Sequence, residues 1–385
     1  MSTTARKRAS LLGWGAITAL AVLYGPMAIE YMWRFFNPDA PQLWNHTFGA
    51  IVDHDEVYGP GSIHAEKAVD YSENRYVLLL HTSAGGIAIV LFAAQFSARV
   101  RRNLARHRAI GRSAIAIALI GMVGAMGYLL AVGPEGIFDG PGFYLQLWAL
   151  ALGTTIGVTL GLAAAVKRQI AMHQALMAYA FALLLTAPLL RVGYLLLGNL
   201  WPETTQLETN LAGAAFLATW APLGAFLAAR ALDTRQRRTS AIGPLPGRAL
   251  DIGVLAAAVV ATAVLAGRYA AAFDGLDRVT TTGLIGAAAG IAIAVTNHVA
   301  ARRAGNSLAA EEWRVIGLSL LAGAPTGVVL WALYDLPFTT YDAYVGMLLT
   351  APALALSVGF LVVVWRRRVV RRSANLPTAN VPTAA

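Results

Sequence analysis

The sequence predicts an all-α fold, a polytopic transmembrane bundle of about ten helices with both termini on the cytoplasmic side. Three observations predict it. Of 385 residues, 57% are hydrophobic and only 13% charged, whereas soluble domains carry about 25% charged residues. The length is taken up by apolar runs of about 20 residues, the span of a helix through hydrocarbon. Basic residues concentrate in alternate connections, the bias that orients multi-pass membrane proteins.

Segmentation by apolar runs places helices near 10–33, 76–98, 113–132, 143–166, 174–197, 211–230, 249–267, 279–298, 315–334 and 345–365. Arg6, Lys7 and Arg8 before the first run also fit a signal peptide, but the run is too long and lacks a small-residue cleavage pattern, so it reads as an uncleaved first helix. The segments 6–8, 99–112, 167–168, 230–248, 302–314 and 366–372 hold 24 of the 30 Lys and Arg residues. The alternate set, 34–75, 133–142, 198–210, 268–278 and 335–344, holds 15 of the 20 acidic residues and five basic ones. The net charge of +10 therefore orients the chain in a bacterial cytoplasmic membrane. Its expected partners are membrane lipids, with anionic lipid at the basic loops and no nucleic acid.

Five units follow in order. Residues 1–75 form a first helix and an external loop, and 76–198 a four-helix core. Residues 199–248 supply a sixth helix and a basic, Pro/Gly-containing linker, 249–372 a four-helix block, and 373–385 a polar tail expected to be disordered. Ten helices divide as five and five, and an odd repeat would invert the second half, as in inverted-repeat transporters. No motif matches between the halves. Gly153, Gly157 and Gly161 in helix four, and Gly286 and Gly290 in helix eight, form small-residue rows suited to packing inside the bundle or to an oligomer face. Prolines 188, 222, 325 and 352 fall inside predicted spans, where each can interrupt hydrogen bonding.

Cysteine is absent, which excludes disulfides, thiolate chemistry and iron–sulfur clusters. Zinc-protease, P-loop and serine-hydrolase motifs are absent too. The external loop carries His46, His54 and His64 among acids, candidate metal ligands at a spacing that matches no known pattern. Ionisable residues inside apolar spans are functional candidates by default. Here they are Glu30, His81 and Arg191, all at similar depth towards the outer side, with His107, His173 and His298 near inner helix ends. Arg191, His81 and Glu30 together suit an anionic headgroup, a quinone carbonyl, a haem propionate or a proton relay. The alternative is that Arg191 reaches the surface and pairs with Glu30 or a loop acid. His107 and His173 lie at one depth and can approach each other, the minimal arrangement for a b-type haem.

His81 with Gly85 and Gly86, then Arg106, His107, Arg108, Gly111 and Arg112, then His173 with Met177, Tyr179 and Ala180, and finally Arg191, form an ordered set. It resembles the bacterial family of predicted membrane proteins catalogued as domain of unknown function 2306, over about 120 residues in helices two to five. Gln174 and Leu176 stand where that family usually has Arg and Trp. The resemblance implies a membrane helix core and marks His81, Arg106, His107, Arg108, Gly111, Arg112, His173 and Arg191, without implying a reaction. Three functional readings follow: a redox membrane protein using b-type haem or quinone, a transporter or lipid-handling protein, and a non-catalytic membrane subunit.

Overall fold

The computed structural model describes residues 3–233, 245 and 247–373. The tail expected to be disordered, from 374 onward, and most of the 231–248 connection lie outside them. Among the described residues there is no strand, and ten helices are long and apolar enough to cross a membrane. They are Leu11–Phe35, Arg75–Phe96, Leu104–Val132, Gly140–Val166, Ile170–Leu200, Gln206–Leu232, Arg248–Ala272, Arg278–Arg303, Ser307–Tyr334 and Thr340–Val370, referred to below as helices one to ten.

The largest boundary difference is at helix three, which begins at Leu104 rather than near 113. Leu, Ala and Arg are strong helix formers, and the Asn103 side chain caps the end by accepting the Arg106 amide at 3.0 Å. Hydrophobicity alone marks where a helix is apolar, not where it starts. Thr205, Asp277 and Asn306 cap helices six, eight and nine in the same way.

Helix six is the hub, packing on helices five, eight and ten. Ala212, Gly213, Ala214, Ala215, Ala218, Ala221 and Ala225 line its length, and such small side chains let neighbours approach where lipid gives no hydrophobic drive. Helix two packs on helices one and three, but its counterpart in the second half, helix seven, packs on helix nine, so the two halves do not repeat each other's neighbours. Helix five is interrupted, running Ile170–Leu184 and Thr186–Leu200. Pro188 has no N–H for the Leu184 carbonyl four residues earlier, which accounts for the break. Pro222, Pro325 and Pro352 sit inside continuous helices.

The glycine rows are used within the chain. A Cβ at Gly153, Gly157 or Gly161 would meet Leu183, Tyr179 or Met177 of helix five, and one at Gly286 or Gly290 would meet Phe216 or Thr219 of helix six. The expected oligomer face on helices four and eight is therefore corrected: those rows are already covered. The closest backbone approach joins helices one and two, where a Cβ on Gly86 would lie 2.6 Å from the Gly25 carbonyl oxygen. Gly86→Val is expected to lower stability by about 1–3 kcal/mol through overpacking. Thermal unfolding in detergent measures it, and an unchanged midpoint contradicts this packing.

At the basic end, Glu312 of helix nine bonds Arg230 of helix six and Arg367 of helix ten, the latter at 2.5 and 2.9 Å. Arg366 meets Glu311 at 2.7 Å. Arg314 grips Asp251 at 2.8 Å and the Gly247 carbonyl at 3.0 Å. These pairs tie together helices six, seven, nine and ten where their charges leave the apolar layer.

The opposite end is closed by residues 36–74, which form short helices at Leu43–Gly49, His54–Tyr58, Ile63–Glu66 and Ala68–Glu73. The Glu30 carboxylate accepts the backbone amides of Gln42 and Leu43, each at 2.9 Å, and so seats the first of these on the end of helix one. Gln206 of helix six accepts the Ile63 amide at 2.9 Å. This cap is fastened to the bundle from both sides.

Candidate functional site

A cavity of about 270 Å³ lies beneath the cap, walled by helices one to six and roofed by Trp44, Ile63 and Tyr71. Its walls are mainly apolar, with Met27, Met32, Met122, Phe143 and several leucines. Its polar lining comes from His81, Arg191, Gln146, Asn210, the threonines 82, 154 and 186 and the tyrosines 24, 31, 71, 128 and 194. Leu183, Leu184 and Thr186 bring the break of helix five into the wall, so the interrupted helix and the ionisable pair share one site.

Arg191 lies on the second half of helix five, with its guanidinium carbon 5.3 Å from the centre of the Tyr194 ring, one turn on. It forms no ion pair or hydrogen bond with any described residue, while its side chain keeps accessible surface within the cavity. The expected pairing with Glu30 is corrected: both Glu30 oxygens are held by cap amides, and Glu30 does not line the cavity. Asp139, in the connection before helix four, forms no ion pair with Arg191. It is 7% exposed, with both oxygens unpartnered. Burial holds its carboxyl well above the usual carboxylate range, although the Arg191 and Lys67 charges pull the other way.

His81 faces Arg191's cavity from helix two. Its Nδ1 lies 3.0 Å from the Gly121 carbonyl oxygen of helix three, and since a carbonyl only accepts, Nδ1 carries the proton. The neutral ring then presents Nε2 as an acceptor. The approach depends on Gly124, where a Cβ would come within 2.9 Å of the His81 amide nitrogen. The Arg191 charge acts on His81 and on Tyr24, Tyr71 and Tyr194, which groups these side chains around one centre. The Tyr194 hydroxyl is committed to Asn210 Oδ1.

The inner candidates form a separate set. His107, with exposed Arg106, Arg108 and Arg112, occupies the first turns of helix three, about 27 Å along that helix from Ala125 in the cavity wall. His173 lies close enough to His107 for its charge to act on it. His173 Nδ1 bonds the Gly161 carbonyl at 2.9 Å, and His298 Nδ1 bonds that of Ala310 at 2.8 Å, so each also fastens neighbouring helices. The cavity itself contains one histidine.

The loop histidines are dispersed. His46 and His54 are exposed, whereas His64 Nδ1 accepts from Arg34 at 2.7 Å and Asn45 at 3.0 Å. Among the described residues no group of three His, Cys, Asp or Glu side chains is arranged to hold a metal ion, which corrects the candidate site at His46, His54 and His64. His64 instead locks the cap, and burial beside Arg34 pushes its protonation below the usual histidine range.

Glu56 gives the cap a pH dependence. Burial, helped by Asp53, raises its carboxyl from 4.5 to about 7. A raised acid binds its proton more tightly in the docked state, so that contribution is complete below 4.5 and is lost as pH rises to about 7. Hydrogen-exchange protection in residues 43–58, taken relative to the intrinsic exchange rate at each pH, is therefore expected to be lower at pH ~8 than at pH ~6, and Glu56→Gln should remove the difference. Equal protection at both pH values in the wild type contradicts this account.

The fold defines a multi-pass membrane protein. More particularly, residues 78–227 match the family described as Predicted membrane protein (DUF2306), the family that the ordered motifs from His81 to Arg191 resemble. The match runs on into helix six, which the motifs alone left outside. No curated protein and no solved structure matches the chain. The matched stretch supplies the cavity's walls from helices two to six; helix one and the cap complete it.

Proposed function

We propose that this protein handles lipid-like molecules by binding an amphiphilic anion in the capped cavity, with its head on Arg191 and its apolar part among the methionines, leucines and aromatic rings. The observation that carries this reading is an uncompensated guanidinium facing a largely apolar cavity inside the membrane. Such a charge costs several kcal/mol unless something neutralises it, and an anionic headgroup does so while its chain satisfies the lining. The break in helix five beside Arg191 supports handling over a purely structural role, since discontinuous helices form the substrate sites of many transporters.

The redox readings rank below it on the same geometry. A b-type haem held by two imidazoles needs a second histidine facing His81, and a quinone's neutral carbonyls leave the Arg191 charge uncompensated. The bias of basic loops supports a bacterial cytoplasmic membrane with both termini inside, which puts the cap and cavity towards the outer leaflet. The exposed Arg106, Arg108 and Arg112 then suit anionic lipid at the inner surface.

Mass spectrometry of amphiphiles extracted from protein purified in mild detergent tests the proposal. The wild type is expected to carry an acidic amphiphile in near-stoichiometric amount and Arg191→Gln little of it. Equal acidic content in both proteins would overturn the reading.

A further inference from the structure

Resting on that reading, we propose that the ligand's head carries a free hydroxyl beside its anionic group, and that His81 Nε2 receives this hydroxyl while Arg191 holds the anion. The ligand class is then a hydroxylated anionic amphiphile, such as a lysophospholipid with a phosphate head.

The argument is one of complementary hydrogen-bonding capacity. Arg191 has only donors to offer, and no described residue takes them. His81 has its one proton engaged by the Gly121 carbonyl at 3.0 Å, so the neutral ring offers an acceptor and nothing else. No described residue donates to Nε2, and His81 retains accessible surface in the cavity lining. An acceptor in an apolar wall is costly to leave unmade. The neighbouring Tyr194 hydroxyl cannot serve, because it donates to Asn210. A head with oxygen acceptors alone satisfies Arg191 and leaves Nε2 dry. One that adds an O–H satisfies both. Helices two and five thus present an acceptor and a cationic donor to the same space, and the ligand must show the converse.

Two probes separate the claims: lauroyl lysophosphatidate, which keeps the glycerol hydroxyl, and lauroyl propanediol phosphate, which lacks it but has the same chain and phosphate. Equilibrium binding to the full-length protein in nanodiscs is expected to favour the hydroxylated probe about tenfold, the scale of one satisfied acceptor. His81→Leu should abolish the preference, and His81→Gln, whose amide oxygen also accepts, should keep part of it. Equal wild-type affinities, or a preference that survives His81→Leu, overturn the hydroxyl assignment while leaving the anion site standing. If Arg191→Gln weakens neither probe, or neither probe binds the wild type, both the assignment and the proposed function fall. The wild-type comparison needs no variant, so a folding defect in His81→Leu does not shield the proposal.

Discussion

Arg191→Gln is expected to weaken binding of dodecyl phosphate by roughly 100-fold, about 3 kcal/mol. The size follows from the setting. Charge-assisted hydrogen bonds are about twice as strong as neutral ones, and a largely apolar lining screens them less than bulk water does. Gln keeps a donor but removes the charge and ends about two bonds short of the guanidinium nitrogens, so its loss combines electrostatics with reach. Arg191→Lys should lose less, because it restores the charge without the planar fork. Isothermal titration in detergent or nanodiscs measures all three. A Gln variant within threefold of the wild type contradicts the role given to the guanidinium.

Glu312→Ala carries the largest expected cost to stability. The Glu312 carboxylate engages Arg230 and Arg367, whose side chains are 15% and 11% exposed. Its removal takes that carboxylate from both cations in a poorly hydrated site, and breaking such a pair from one side costs about 3–5 kcal/mol. Arg367 retains a 4.0 Å contact with Asp233, which places the expectation near the lower figure. Glu312→Gln should cost less, since the amide oxygen still accepts. Thermal unfolding in detergent reads both, and a wild-type midpoint for Glu312→Ala would show that the network is not structural.

Much of the fold was legible because a bilayer imposes a simple length rule on apolar runs. All ten spans follow from it. What hydropathy misses is governed by other physics. The extension of helix three back to Leu104 depends on capping by Asn103 and on the helix propensity of arginine-rich sequence. The neighbours of helix six depend on which small residues face which helix, information that a single sequence distributes over distant positions.

The candidate site was half legible. Depth alone brought His81 and Arg191 together, because rise per residue converts sequence position into height within the membrane. The same reasoning grouped Glu30 with them and failed there, since height does not say which way a side chain turns. Glu30 turns to the backbone amides of Gln42 and Leu43, partners supplied by a chain reversal that periodicity cannot anticipate. The tyrosines around Arg191 were missed as a set, although Tyr194 stands at the i+3 position, where its ring must lie beside the guanidinium. Asp139 went unnoticed because a loop acid reads as solvated, whereas the packed structure leaves it 7% exposed.

An electron cryomicroscopy map of the protein in nanodiscs containing dodecyl phosphate tests whether an anionic head rests on Arg191 beneath the cap. The expected result is density within hydrogen-bonding distance of the Arg191 guanidinium, continuing as a tail among Met27, Met122 and the aromatic wall. A cavity without that density, with Arg191 paired instead to a protein carboxylate such as Asp139, would contradict it.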